Sequence, residues 1–236
     1  MMGGGMGFDW QQIAYVASVW TLPVMIAVTF HEAAHGWVAW RLGDPTAKLL
    51  GRVTFNPLKH IHPFGTVLLP ALMLLGSGGR MMFGFAKPVP VDFRRLNNPR
   101  RDMVLVAAAG PGSNLILAVI AAFAIHLLAF TQGDVREWLA ENLLNAVWIN
   151  CLLCVFNMLP LPPLDGGRVA VGILPPALGM RLARLERAGM VILLGVIFLL
   201  PFIGSRIGVD LNIFWWLVGQ PAEYLMKMIF FTAGIL

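Results

Sequence analysis

Apolar runs of membrane-spanning length alternate with short polar stretches along this chain, and that alternation alone predicts its elements. A helical bilayer crossing needs about 20 mostly apolar residues. Five runs approach or exceed that length, at about Gln12 to Trp40, Met103 to Phe130, Leu143 to Leu159, Ala188 to Ile203 and Leu211 to Phe231. The first is longer than a crossing requires, so its far end is expected to tilt or to project from the hydrocarbon. Phe64 to Gly76 is also apolar, but it is short and interrupted by Pro70, which predicts a short or re-entrant segment.

Between these runs, Leu49 to Phe55 has the composition of a short strand, and Met82 to Ala86 and Pro88 to Val91 read as irregular or edge strands. Thr131 to Asn142 reads as a polar connector, and the prolines from Pro160 to Pro163 break regular helix. The predicted fold class is an all-α polytopic membrane protein. It has about five long transmembrane helices, one short or re-entrant apolar segment and small β-like loop pieces, in a single integral membrane domain over residues 1–236.

Composition agrees with this reading. Hydrophobic residues make up 58 % of the chain and charged ones 12 %, with a mean hydropathy of +0.75, outside the range of soluble domains. The net charge of +5 comes from loop Lys and Arg, which in a membrane protein report topology and not nucleic-acid binding. The stretch from Arg41 to Arg101 is strongly basic, Asp165 to Arg187 carries four arginines, and the remaining connectors carry at most one basic residue each. This count puts the N-terminus outside and both basic stretches on the cytoplasmic side, provided that Phe64 to Gly76 does not cross. If it does cross, the basic stretch after it lies outside. Cys151 and Cys154 are three apart in an apolar helix, a placement that favours packing over a disulfide. The first run is expected to be retained and not cleaved as a signal peptide, because it carries the chemistry described next.

Inside that run stands His31-Glu32-Ala33-Ala34-His35. Ionisable side chains in a membrane helix are costly and point to function. Residues four apart share a helix face, so His31 and His35 can hold one ion while Glu32, one step round, can reach a water on that ion. This is zinc-protease spacing; the alternative is a pair of packing histidines. His31 lies about 27 Å of helix beyond Ile13, near the inner end of its run, and Asp165 follows the inner end of the third long run. Catalytic zinc takes three protein ligands and leaves a fourth position for water. His31, His35 and Asp165 can supply that set, although Asp165 also suits a turn or cap after the proline run. His60 and His62 fit loop hydrogen bonding, and His126 fits packing at the membrane interface.

These residues resemble the site-2 protease family of intramembrane zinc metalloproteases, in a minimal form without a PDZ or CBS module. His31 to His35 matches the first family motif, and Asn157 to Gly166 matches Asn-x-x-Pro-x-x-x-x-Asp-Gly with the right internal spacing. Gly110-Pro111-Gly112-Ser113-Asn114 is similar to the small-residue motif of the family's middle core helix. The resemblance implies a three-helix metalloprotease core over residues 12–167, with accessory helices over 188–231. It implies Zn2+ held by His31, His35 and Asp165, catalysis by Glu32, and substrate contacts from Asn157 and Asn114; a helix-terminal hydrogen bond is the other reading of Asn157.

The implied activity is hydrolysis of peptide bonds in or near transmembrane segments, in regulated intramembrane proteolysis. The implied partners are a transmembrane-protein substrate and the lipid bilayer, in a bacterial or archaeal cytoplasmic membrane, with the active site towards the cytoplasm. The Phe83 to Val91 stretch either offers an edge to an extended substrate or is an ordinary surface loop. The competing class is a zinc-binding membrane protein or transporter-like pseudoenzyme without proteolytic activity.

Overall fold

A computed structural model describes residues 10–68, 72, 84 and 86–236. The chain is helical, and no strand occurs among the described residues. The helices are α1 (Trp10–Arg41), α2 (Thr46–Leu49), α3 (Pro99–Ala124), α4 (Gly133–Asn157), α5 (Asp165–Ile173), α6 (Pro176–Ala183), α7 (Glu186–Ile207) and α8 (Gln220–Thr232).

Among the described residues, four segments are long and apolar enough to cross a membrane: Ala14–Arg41, Pro99–Phe130, Gly133–Asn157 and Glu186–Ile207. The expected fifth span is not among them. Its region is helical through Trp215–Gly219 and α8, but the helix carries Glu223 and Lys227, joined at 2.7 Å. The expected connector from Thr131 to Asn142 shrinks to two residues, because Gly133 at φ +59 turns the chain straight into α4. Its polar residues form the first turns of that helix.

The β-like pieces need correction as well. Leu49 ends α2, and Gly51 at φ +65 turns the chain so that the Arg52 N–H donates to the Ala47 carbonyl at 2.9 Å. A ladder cannot start from that turn. Pro88 to Val91 belongs to no helix and no strand. Of the Phe64 to Gly76 segment, Pro63–Leu68 forms a π-helix. The rest of it apart from Leu72, most of Met82 to Ala86 and residues 1–9 lie outside the described residues.

Helices α1, α3 and α4 pack on one another, with α5 against α3 and α8 against α4. The Leu42 carbonyl accepts from the Asn97 N–H at 2.8 Å, which sets the end of α1 beside the start of α3, so the two run antiparallel. Trp138 donates its indole N–H to Ser18 Oγ at 2.9 Å and Asn145 donates to the Val19 carbonyl at 3.1 Å, so α1 and α4 run parallel. The α3–α4 contact is built on small residues, Ala118, Ala121 and Ala122 against Val147 and Cys151, the composition that lets membrane helices approach closely. Cys151 and Cys154 are both free thiols, and Cys151 packs in this cluster. Side chains such as Ile116, Phe123 and Val191 point outward and are more than half exposed, a surface suited to lipid.

Pro23 sits inside α1 and has no N–H to give to the Val19 carbonyl one turn earlier. The Asn145 amide makes the donation instead. At membrane depth an unsatisfied carbonyl costs roughly 1–3 kcal/mol. Asn145→Leu is therefore expected to destabilise the native chain by about that amount, and to cost much less in a Pro23→Ala background, where the alanine N–H restores the helical donor. Unfolding titrations in detergent on the four members of this cycle check the coupling. Equal costs in both backgrounds would show that Asn145 does not serve Val19.

Candidate active site

The site forms where the last third of α1, the first half of α3 and the start of α5 meet. His31 and His35, one turn apart on α1, bring their Nε2 atoms to 3.0 Å from each other. Asp165 Oδ2 lies 3.2 Å from His31 Nε2 and 3.3 Å from His35 Nε2. His31 and Asp165 are buried and His35 is half-buried.

What holds each imidazole decides what its inner nitrogen can do. The His35 Nδ1–H donates to the Val106 carbonyl of α3 at 2.7 Å, which leaves Nε2 with a lone pair. His31 Nδ1 lies 2.6 Å from Asn114 Oδ1. The Asn114 amide nitrogen donates to the Ala27 carbonyl at 3.2 Å and to Asn150 Oδ1 at 2.8 Å, so Oδ1 is the atom that faces His31. The His31 Nδ1–H donates to it, and His31 Nε2 is also a bare lone pair.

With both rings neutral, as metal ligands are, three acceptor atoms, two nitrogens and a carboxylate oxygen, face one another in a buried space, and a shared cation offsets their repulsion. Tetrahedral ligands about 2.0–2.1 Å from zinc stand about 3.3 Å apart, close to the three separations found. The residues present fit the metal.

Glycines make the approach possible. A Cβ on Gly110 would lie 2.3 Å from His35 Nε2 and 2.6 Å from His31 Cε1, so only glycine lets both rings lie on α3. A Cβ on Gly166 would lie 2.2 Å from the Met158 carbonyl oxygen, and one on Gly167 2.2 Å from Pro162 N. The first turn of α5 thus nests in the proline turn that follows α4, which fixes Asp165. The far end of α5 is tied to α3 by Arg100, which donates to the Gly172 carbonyl at 3.0 Å and also to that of Leu174.

Glu32 is half-buried on the neighbouring face of α1, and its Oε2 accepts the Val89 N–H at 2.6 Å. Residues 86–92 cross α1 there as a strap. The Lys87 N–H donates to the His60 carbonyl at 2.9 Å, Arg52 Nη2 donates to the Lys87 carbonyl at 2.7 Å, and the Asp92 N–H donates to buried Asp44 at 2.7 Å.

The sequence-derived residues divide clearly. His31, His35 and Asp165 come together, with Glu32 one step round α1. Asn114, expected to contact substrate, is fully buried, and its polar atoms are engaged with His31, Ala27 and Asn150. Asn157 ends α4 and donates back to the Leu153 carbonyl at 3.0 Å, the helix-terminal bond. His60 is buried and donates Nε2–H to the Thr54 carbonyl at 3.0 Å; His62 Nδ1 accepts the Gly65 N–H. His126 donates to the Ala233 carbonyl at 2.7 Å. Asn150 was missed by sequence reasoning, and its only signal there was a polar residue in the middle of an apolar run.

The model of peptidase family M50 matches residues 19–133 and 125–202. The chain is 40 % identical over 190 residues to the "Putative zinc metalloprotease YwhC" of Bacillus subtilis, covering 79 % of this chain and 82 % of that protein. It is 32 % identical over 194 residues to the "Putative zinc metalloprotease Rip2" of Mycobacterium tuberculosis, covering 81 % and 71 % respectively. The "Regulator of sigma-E protease RseP" of Salmonella typhimurium is more distant, at 27 % over 144 residues, 58 % of this chain and 30 % of that protein. No solved structure matches. The donor set and the relatives named for zinc make Zn2+ the cofactor. With a family model matching well over half of its length, the chain belongs to peptidase family M50, the site-2 protease family.

Proposed function

We propose that this protein is an intramembrane zinc metalloendopeptidase that hydrolyses peptide bonds in or near transmembrane segments of membrane-protein substrates. The observation that carries the reading is the convergence of His31, His35 and Asp165, whose ligand atoms all lie within 4.8 Å of one another, beside the Glu32 carboxylate. His31, His35 and Asp165 hold the metal. Zinc bound there supplies Lewis acidity, polarising a carbonyl and bringing the ionisation of water towards neutral pH. Glu32 takes the proton of the attacking water on its carboxylate and returns it to the leaving amide nitrogen. Asn114 orients His31, and Asn157 contacts the substrate or the reacting carbonyl.

The catalytic core is residues 12–167, and 188–231 are accessory, with a fifth crossing through α8. The N-terminus lies outside, and the site faces the cytoplasmic side of a bacterial or archaeal cytoplasmic membrane. Cleavage of a regulatory membrane substrate fits this placement. The relative named "Regulator of sigma-E protease RseP" is a precedent for such a role, though it is stated of that protein alone.

Purified protein is expected to hold about one zinc per chain, and His31→Ala, His35→Ala and Asp165→Ala to lose most of it, because a three-ligand site cannot spare one. Gly110→Ala should lose zinc as well, since its methyl group would occupy the place of the imidazoles. Metal analysis reads all four, and full retention in Asp165→Ala would remove that residue from the site.

Glu32→Gln keeps size and hydrogen bonding but cannot accept the proton. It should keep its zinc, still capture a transmembrane substrate and cleave it about 100- to 10,000-fold more slowly, as expected for loss of general-base help. Near wild-type cleavage would exclude Glu32 as the base. Zinc binding by the wild type with no cleavage of any single-span substrate would favour the pseudoenzyme.

Reporter tags after Ala86 and Ile173 should read cytoplasmic and one after Gly133 external. An external signal at Ala86 would make Phe64 to Gly76 a true span.

A further inference from the structure

Asn150 touches no metal ligand and lies outside every motif matched above, yet it is one of the most deeply buried polar side chains, at 2 % exposure. Its amide nitrogen donates to the Ala146 carbonyl on its own helix at 2.8 Å, which turns Oδ1 towards Asn114. Asn114 Nδ2 donates to that oxygen at 2.8 Å and to the Ala27 carbonyl at 3.2 Å. Asn114 Oδ1 then accepts from His31 Nδ1. Each amide in this series has one workable orientation, and the series runs from a main-chain carbonyl of α4 through α3 to the imidazole on α1.

The direction of the series matters more than its length. If Asn114 flipped, its oxygen would face two other acceptors, Asn150 Oδ1 and the Ala27 carbonyl, while its nitrogen would face His31 Nδ1. His31 would then take the other tautomer, with its proton on Nε2, where the metal binds. The Asn150 oxygen is one of the two atoms that penalise this flip, and the only one supplied by a side chain.

We propose that Asn150 is a positioning residue of the zinc site, which through Asn114 holds His31 in the tautomer that presents a bare Nε2 to the metal. The inference rests on His31, His35 and Asp165 being the metal ligands. Outer-shell partners of zinc histidines typically alter metal affinity about 10- to 100-fold when removed. Asn150 acts at one remove, so the lower end of that range applies.

The test compares Asn150→Leu, Asn150→Asp and Asn142→Leu with the wild type, as full-length protein in detergent or lipid nanodiscs. Leu removes the acceptor at nearly constant shape. Asp, protonated at this depth, can accept from Asn114 and donate to Ala146 as Asn150 does. Asn142 is a second buried amide of α4, bonded to the Trp138 carbonyl and making none of these contacts, so its replacement controls for packing and polarity alone.

Zinc affinity is read by competition with a chelating dye, and the ligand field by the visible spectrum of the cobalt-substituted protein. Asn150→Leu is expected to bind zinc about tenfold more weakly with an altered cobalt spectrum. Asn150→Asp should restore both, and Asn142→Leu should match the wild type. Wild-type affinity and spectrum in Asn150→Leu would overturn the inference, as would equal losses in Asn150→Asp and Asn150→Leu. If the wild type itself held no zinc that depends on His31, His35 and Asp165, the ligand assignment would fall first, and the inference with it.

Discussion

Two imidazole nitrogens and a carboxylate oxygen held within about 3.3 Å of one another in an apolar bundle form an arrangement that a shared cation stabilises. Everything else near the site follows from keeping His31 Nε2, His35 Nε2 and Asp165 Oδ2 in that relation. Apolar packing cannot orient an imidazole ring about its own axis, so hydrogen bonds must do so, and in a membrane each one needs a partner supplied by the protein. His35 uses a main-chain carbonyl of α3, and His31 uses Asn114. Asp165 is placed by backbone alone, through the two glycines that let α5 sit against the proline turn.

The three core helices are joined at successive levels by polar side chains that serve main-chain carbonyls of a neighbouring helix. Asn145 serves Val19, Asn114 serves Ala27 and His35 serves Val106. In lipid there is no hydrophobic drive to bring one apolar helix to another, so such bonds and the close fit of alanine-lined faces provide the association. The same contacts that assemble the bundle therefore set the register of the metal ligands. A slip of α1 along α3 by a single turn, about 5.4 Å, would break the His31–Asn114 bond and move both imidazoles off Gly110.

Much of this was legible in the sequence, because the pattern of runs and the chemistry of the motifs are both local. The His31–His35 spacing fixes a helix face by itself, and the spacing from Asn157 to Asp165 carries its own proline turn. Run length picked out the four described helices that are long and apolar enough to cross, and a fifth run from Leu211 to Phe231, where Glu223 and Lys227 interrupt the apolar character. The strand expected from Leu49 to Phe55 failed on Gly51, whose positive φ closes a turn that β-branched and aromatic neighbours do not reveal. Long-range hydrogen bonds were hidden for a different reason. Asn114 and Asn150 are 36 residues apart, and nothing in either neighbourhood says that one amide will orient the other. The role of Gly110 was equally invisible, since the atoms it makes room for belong to another helix.

The strap over Glu32 raises an apparent conflict, because a general base must be free to take a proton while Oε2 already accepts the Val89 N–H at 2.6 Å. A carboxylate has two oxygens and about four lone-pair sites, so one donated bond leaves it able to accept another and fixes its plane meanwhile. What would defeat the base is a second donor from the same direction, and the sequence of the strap prevents that. Val89 stands between Pro88 and Pro90, neither of which has an N–H. The Lys87 N–H is turned to His60 and the Asp92 N–H to Asp44. Among residues 87–90 the Val89 N–H is thus the one main-chain donor that reaches Glu32, and Pro90 biases Val89 away from helical backbone.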